Sequence, residues 1–242
     1  MNYLIEIATA DLETTRSAVE GGADRIELCA GLSEGGTTPS YGTIRQCREM
    51  FAVSLFPIIR IRGGDFLYSD DEFTAMLSDA RLCRELGCEG VVAGFLLADG
   101  SIDRKRTEAI VEAVYPLELT FHRAFDRCRD PFEALETLIQ SGCQRILTSG
   151  QQPDAPGGAD LIAQLVRAAD ERIVIMPGSG VRPENIRALA NHTGAAEFHS
   201  SLRSKRKSDM KYRHAAFGEG DFMNPAISAE DVRALRAALE AG

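Results

Sequence analysis

Short apolar runs alternate with longer amphipathic stretches along the whole chain. The apolar runs are rich in Ile, Val and Leu and are bounded by glycine or proline, a pattern that predicts β-strands. We predict eight strands, at 3–8, 25–30, 56–62, 90–96, 117–124, 145–150, 172–178 and 196–202.

The stretches between these strands carry apolar residues at helical spacing. The clearest predicted helix spans 130–142, where Asp130 suits the N-cap and Pro131 the first helical position. A second helix, 69–87, begins with a serine and a glutamate at the spacing of a capping box. The other predicted helices are 182–194, with Pro183 at its start, and 228–241.

Strictly alternating strands and helices predict an α/β fold with a parallel sheet. Eight such units within 242 residues predict a closed (β/α)8 barrel, the TIM barrel, as a single domain over residues 1–242. Two long loops, 151–158 and 203–227, interrupt the pattern. The alternative is a doubly wound open sheet, but the first strand is not followed by the G-x-G-x-x-G turn that such sheets usually carry.

Charge and composition narrow the class of partner. The formal net charge is -9 and the pI about 5.1, so we predict no nucleic-acid partner. The one dense basic run, 203–207, is interpreted as a solvated loop. No apolar segment reaches the roughly 20 residues of a membrane span, and the first residues do not resemble a signal peptide. With six scattered cysteines and no C-x-x-C pair, we expect a cytoplasmic protein with reduced thiols and no membrane partner.

In a (β/α)8 barrel the functional site lies at the carboxyl ends of the strands. Polar residues occur there on otherwise aliphatic strands, and charged side chains are rarely buried unless they are paired or functional. The candidates for proton transfer are His122, Glu27, Glu6 and Asp126. A structural alternative stays open, in which Glu6 or Glu27 pairs with Arg60 inside the barrel and His122 is a core histidine.

A second group of candidates suits an anion. Arginine donors and glycine-rich turns at the start of a helix bind carboxylates and phosphates. The segment GSGVRPEN, 178–185, follows the seventh strand and is predicted to open a helix; its alternative interpretation is a tight turn. The anion-binding candidates are Arg60 and Arg62 on one face of the third strand, Arg123, Ser149, Gly178, Gly180 and Ser200.

Six segments, in order along nearly the whole chain, resemble the CutC copper homeostasis protein family. They are ADRIELCAGLSEGGTTPSYG (23–42), PIIRIRGGDFLYSDDEF (57–73), TFHRAFD (120–126), RILTSGQ (145–151), IMPGSGVRPEN (175–185) and EFHSS (197–201). The resemblance implies a cytoplasmic (β/α)8 barrel that takes part in the control of copper levels and binds copper.

If Cu(I) is bound, its ligands should be soft side chains at strand ends. Cys29 and His199 are the metal-ligand candidates, although nearby arginines disfavour a cation site. We therefore predict a copper homeostasis protein with a Cu(I) ion or a small anionic ligand as its partner. The alternative is a lyase, isomerase or hydrolase acting on a small anionic or phosphorylated metabolite. The oligomeric state, including a homo-oligomer, stays open.

Overall fold

Strands and helices alternate throughout the structure, a computed structural model that describes residues 3–241. The strands are β1 Leu4–Thr9, β2 Arg25–Leu28, β3 Ser54–Pro57, β4 Gly90–Ala93, β5 Glu118–Phe121, β6 Arg145–Thr148, β7 Val174–Pro177, β8 Glu197–Ser200, β9 Ser204–Lys207 and β10 Met223–Ala226. The first eight coincide with the eight predicted strands, and the predicted (β/α)8 fold is confirmed.

The helices form where the sequence provides caps and apolar stripes. They are α1 Leu12–Glu20, α2 Tyr41–Met50, α3 Asp70–Glu85, α4 Arg104–Val114, α5 Pro131–Gln140, α6 Ala159–Ala169, α7 Ile186–Thr193 and α8 Ala229–Glu240. The two caps predicted most clearly are confirmed. The side chain of Asp130 accepts from two backbone N–H groups of α5, and Ser69 with Glu72 closes a capping box on α3.

All pairs within the first eight strands are parallel. They pair as two four-stranded sheets, in the orders β3-β2-β1-β8 and β4-β5-β6-β7. A single bridge between Ile58 and Val92 joins β3 to β4, and β7 lies beside β8. Since neighbours in sequence are neighbours in space, the carboxyl ends of all eight strands meet on one face of the barrel.

The two faces of each strand differ in chemistry. On β1, Ile5 and Ile7 belong to the large core between strands and helices, whereas Glu6 faces the barrel interior. A small separate apolar cluster inside the barrel contains Phe56 and Val92. The inner side of the ring is therefore only partly apolar and leaves room for charged side chains.

Three predicted boundaries are wrong. Strand β3 is not 56–62 but Ser54–Pro57, because its bonding to β2 ends with the N–H of Ile58, which donates to Leu28, and the N–H of Ile59 donates to Val92 of β4 at 2.7 Å. The segment 203–227 is not one loop, since it contains the antiparallel hairpin of β9 and β10. Helix α7 begins at Ile186 rather than near Pro183. The turn 178–185 therefore precedes the helix instead of opening it.

Candidate functional site

The mouth of the barrel holds a cavity of about 410 Å³. That volume suits a small metabolite. Side chains from the loops after most strands surround it. The lining includes Ala8, Glu27, Leu32, Glu34, Ile58, Arg60, Phe66, His122, Arg123, Asp126, Arg127, Leu147, Gly180, Arg182, His199, Ser200, Ser201 and Arg203.

The cavity is basic although the chain is acidic. Five arginines line it, against three carboxyl side chains, while the whole chain carries -9. The carboxyls are Glu27, Glu34 and Asp126. A local excess of cations in an acidic protein attracts small anions to this one place.

Arg60 is a buried cation without a carboxylate partner in the described part of the chain. Arg60 is 4% exposed, and its Nη1 donates to the carbonyl oxygens of Glu34 and Gly36 at 2.8 Å. Nη2 donates to the carbonyl of Gly64 at 3.2 Å. These carbonyls fix the guanidinium but do not neutralise it. Buried charges are normally paired, so this position calls for an anion from outside the chain. The alternative pairing of Arg60 with Glu6 or Glu27 is wrong.

Glu6, His199 and Glu27 form a buried array at the floor of the cavity. Nδ1 of His199 lies 2.8 Å from Oε1 of Glu6, and Nε2 lies 3.8 Å from Oε2 of Glu27. Parallel pairing of β1 with β2 and β8 places these three side chains together. Glu6 is fully buried, whereas Glu27 and His199 border the cavity.

Within this array, the pKa values of the two carboxyl groups shift in opposite directions. Burial favours a higher pKa for Glu6, but the hydrogen bond and charge of His199, with the charges of Arg25 and Arg145, lower that pKa to about 2. Burial raises the pKa of Glu27, and the negative charge of Glu6 adds to this effect. Burial opposes the charge on His199, yet the Glu6 hydrogen bond and both carboxylates raise the pKa of the imidazole. A carboxyl group with a raised pKa beside a histidine with a raised pKa is a candidate acid–base pair.

The structure does not present Cys29 as a copper ligand. Its thiol is buried and donates to Oε2 of Glu27 at 3.5 Å. Burial and the charge of Glu27 raise the thiol pKa well above its usual value, and the raised pKa of His199 likewise disfavours the neutral imidazole. Cu(I) binds a thiolate or a neutral imidazole, so this donor set does not fit it. Over residues 3–241, no group of three or more His, Cys, Asp and Glu side chains is arranged to hold a metal ion.

His122 borders the cavity as a neutral ring. Its Nδ1 accepts the backbone N–H of Ala124 at 3.2 Å. Burial, followed by the charge of Arg60, lowers its pKa to about 3. An alanine Cβ at position 94 would clash with Nδ1 of His122, so Gly94 makes room for the imidazole. A pKa this low argues against His122 as the base predicted from the sequence and suits a hydrogen-bond donor.

Asp126 positions Arg123 and offers no free oxygen. Its carboxylate accepts from Nε of Arg123 at 2.8 Å and from the backbone N–H of Ser149 at 2.9 Å. It also accepts from Thr148 and Gln151. Nη2 of Arg123 donates to the hydroxyl of Ser149 at 2.7 Å. Asp126 and Ser149 therefore hold Arg123 at the cavity, and the geometry gives no support to Asp126 as a general base.

The remaining anion-binding candidates divide into two groups. Gly180 and Ser200 line the cavity, although the Ser200 hydroxyl already donates to the carbonyl of Val181 at 2.8 Å. Gly178 lies beneath them, and its N–H donates to Thr148 at 2.9 Å. Arg62 is not at the cavity. The end of β3 at Pro57 turns it outward, where its guanidinium pairs with Glu72 and Asp65.

Sequence reasoning missed the charges beneath the array. Arg25 pairs with Glu6 at 3.2 Å and with Glu197 at 2.8 Å, and Arg145 pairs with Glu197 at 2.6 Å. Both arginines are the first residue of a strand. The sequence prediction considered only the carboxyl ends of the strands, so it missed them. The signal was present, because Arg25 has the same strand parity as Glu27.

Three cavity arginines were missed as well: Arg127, Arg182 and Arg203. They lie in loops, where strand periodicity predicts no direction. Arg203 belongs to the basic run that we interpreted as a solvated loop, yet it borders the cavity and donates to the carbonyl of Leu32 at 2.8 Å.

None of the helices in the described range combines the length and apolar character needed to cross a membrane.

Comparison with known proteins gives consistent matches over nearly the whole chain. The family model described as the CutC family matches residues 3–204. A protein named as family protein CutC from Chromobacterium violaceum is 48% identical over 245 residues, 99% of each chain. The human copper homeostasis protein cutC homolog is 46% identical over 218 residues, covering 90% of this chain and 80% of the human one.

Solved structures extend the comparison. The crystal structure of a Streptococcus agalactiae protein, named CutC for copper homeostasis, has a TM-score of 0.79 and 33% identity over 82% of this chain and 98% of its own. A phosphoribosylanthranilate isomerase from Thermotoga maritima has a TM-score of 0.60 at 12% identity, over 98% of each chain. The second likeness concerns the fold alone.

Proposed function

We propose, for a chain that belongs to the CutC family, that the mouth cavity binds a small anionic metabolite. Its part in the control of copper levels, which the name of the human relative suggests, then depends on this ligand rather than on a Cu(I) ion held by Cys29. The observation that carries the proposal is Arg60, a buried guanidinium at the cavity wall that is bonded to carbonyl oxygens and has no carboxylate partner within residues 3–241.

Two further features support an anion. Arg123, Arg127, Arg182 and Arg203 add positive charge at the same cavity. The protonated states of Cys29 and His199, favoured by their raised pKa values, oppose a Cu(I) ion there. A cation would also meet repulsion from the arginines.

Inorganic phosphate should raise the melting temperature of the wild-type protein above that in chloride of equal ionic strength. At ten times Kd, linkage gives about 1.4 kcal/mol, since phosphate binds the folded state only. For a chain of this size we expect a shift of about 3–5 °C. The shift should be reduced in Arg60→Met, which removes one positive charge from the cavity wall, with each variant compared with its own phosphate-free melting temperature.

Arg45→Gln is the matched control for this experiment. Arg45 is exposed on α2 and pairs only with its helix neighbour Glu49, so the variant should keep the full phosphate shift. Equal melting temperatures of the wild type in phosphate and in chloride, up to tens of millimolar, would contradict the proposal.

A second candidate function, proton-transfer catalysis on the bound anion, is favoured by the Glu6–His199–Glu27 array. Glu6 holds one ring nitrogen of His199 at 2.8 Å, while Glu27 stands at the cavity with a raised pKa. The two groups provide a proton donor and a charged neighbour at the floor of an anion-binding cavity. That is the arrangement required by isomerases and lyases that move a proton next to a carbonyl.

His199 should titrate above the ordinary histidine pKa of 6.5, because Glu6 and Glu27 stabilise the imidazolium. Proton NMR of the ring signals, assigned with a His199→Gln variant, measures this pKa. In Glu6→Gln the pKa should fall, since the hydrogen-bonded negative charge is gone. A His199 that titrates at or below 6.5 in the wild type would remove the basis of this second function.

A further inference from the structure

Two buried N–H groups at the cavity wall lack an acceptor. Nε of Arg60 and Nε2 of His122 have no hydrogen-bond partner within residues 3–241. The residues are each 4% exposed, and both border the cavity. Buried polar groups are nearly always hydrogen-bonded, so two unpaired groups at the same cavity need an explanation.

The missing partner must be an acceptor. Nδ1 of His122 already accepts the N–H of Ala124, so in the neutral ring the proton is on Nε2. Nε of a guanidinium is a donor in every state. Phe66 lies next to both groups: its ring centre is 4.8 Å from that of His122 and 5.1 Å from Cζ of Arg60. Both donors therefore belong to side chains that contact the same ring at the cavity, and each suits an oxygen acceptor.

A different set of donors faces the cavity from the loops after β7 and β8. Arg182 is exposed, and its guanidinium makes no hydrogen bond or ion pair in the described range; Ser201 likewise contributes a hydroxyl that donates to no other described residue. Arg203 adds a second exposed guanidinium. Several open donors with full charges suit a phosphate group, which has more oxygens and more charge than a carboxylate.

We propose that the ligand is a small phosphorylated carboxylic acid, held at both ends. Its carboxylate accepts from Arg60 and His122, and its phosphate binds among Arg182, Arg203 and Ser201. Arg60 and Arg182 lie on opposite sides of the mouth, since they follow β3 and β7, which are four strands apart in the ring of eight. This inference rests on the proposed anion-binding function and specifies the substrate class for the same cavity.

Binding of 2-phosphoglycolate and of inorganic phosphate, compared by calorimetry, tests the proposal. In the wild type, 2-phosphoglycolate should bind at least about tenfold more tightly than phosphate, the value of one further hydrogen bond to a charged acceptor. In His122→Phe, which keeps a ring of similar shape, that ratio should fall by about threefold or more, while the affinity for phosphate stays within about threefold. In Arg182→Gln both probes should weaken together and the ratio should remain. Arg45→Gln should change neither affinity.

The outcomes separate this inference from the function on which it rests. Phosphate binding with no preference for 2-phosphoglycolate, or a preference that is unchanged in His122→Phe, overturns the two-ended ligand and leaves the anion-binding function standing. Failure of both probes to bind the wild type overturns both. If His122→Phe does not fold, NMR of the wild-type protein tests the same contact. The ¹⁵N–H signal of His122 Nε2 should shift with 2-phosphoglycolate and not with phosphate. An unmoved signal overturns the carboxylate contact.

Discussion

Replacing Arg25 by methionine should lower the free energy of unfolding by about 3–5 kcal/mol. Arg25 is the cation between two carboxylates inside the barrel, at 3.2 Å from Glu6 and 2.8 Å from Glu197. Glu6 is fully buried, so water cannot replace the lost guanidinium. Removing one partner of a buried pair leaves an uncompensated charge, which costs more than the pair itself contributes.

Urea unfolding of wild type and variant measures this difference. Arg104→Gln is the matched control. Arg104 pairs with Glu108 on the exposed surface of α4, and its loss should change the free energy by well under about 1 kcal/mol. A change below 1 kcal/mol in Arg25→Met as well would mean that the buried network does not support the barrel.

Acid should destabilise the protein through Glu6 by about 3 kcal/mol. The folded-state pKa of Glu6 is depressed to about 2 from an ordinary value of 4.5, and each unit corresponds to about 1.4 kcal/mol. A depressed carboxyl pKa stabilises the folded state above the unfolded-state value. This contribution should therefore be complete above about pH 4.5 and be lost as the pH falls towards 2.

The comparison of wild type with Glu6→Gln measures this effect at acidic pH, below the range in which the altered pKa of His199 also contributes. The difference in their free energies of unfolding should shrink as the pH falls from 5 to 3. A difference that is the same at pH 5 and pH 3 would show that Glu6 has no depressed pKa in the folded protein.

The fold was predictable from local chemistry. Eight aliphatic runs separated by capped amphipathic segments leave few alternatives to a (β/α)8 barrel, and the caps at Ser69 and Asp130 form as their sequences indicate. Strand ends were less predictable. Arg62 was predicted beside Arg60 because the run 56–62 has the pattern of one strand, whereas β3 ends at Pro57 and its bonding to β2 ends at Ile58.

The site was predictable in its residue types but not in their protonation or pairing. Glu27, His122 and His199 do meet at the cavity. The sequence does not give the depth of burial, and burial decides that the Cys29 thiol keeps its proton and that His122 stays neutral. Arg25 was missed for a different reason, since a charge at the start of a strand usually faces solvent and this one faces a carboxylate inside the barrel.

The net charge of the chain does not predict the charge of the cavity. An overall charge of -9 argues against an anionic partner, yet five arginines converge on one cavity, and Arg60 reaches it fully charged from the wall. Local placement by the loops, not composition, sets the electrostatic character of the site.

An anaerobic titration of Cu(I) against a competing chelator, on wild type and Cys29→Ser in parallel, tests most directly whether the mouth is an anion site or a copper site. We expect weak binding that is equal in the two proteins, because the buried thiol of Cys29 holds its proton beside Glu27 and no group of three or more His, Cys, Asp and Glu side chains within residues 3–241 is arranged to hold a metal ion. Tight binding of one Cu(I) per chain in the wild type, lost in Cys29→Ser, would contradict it.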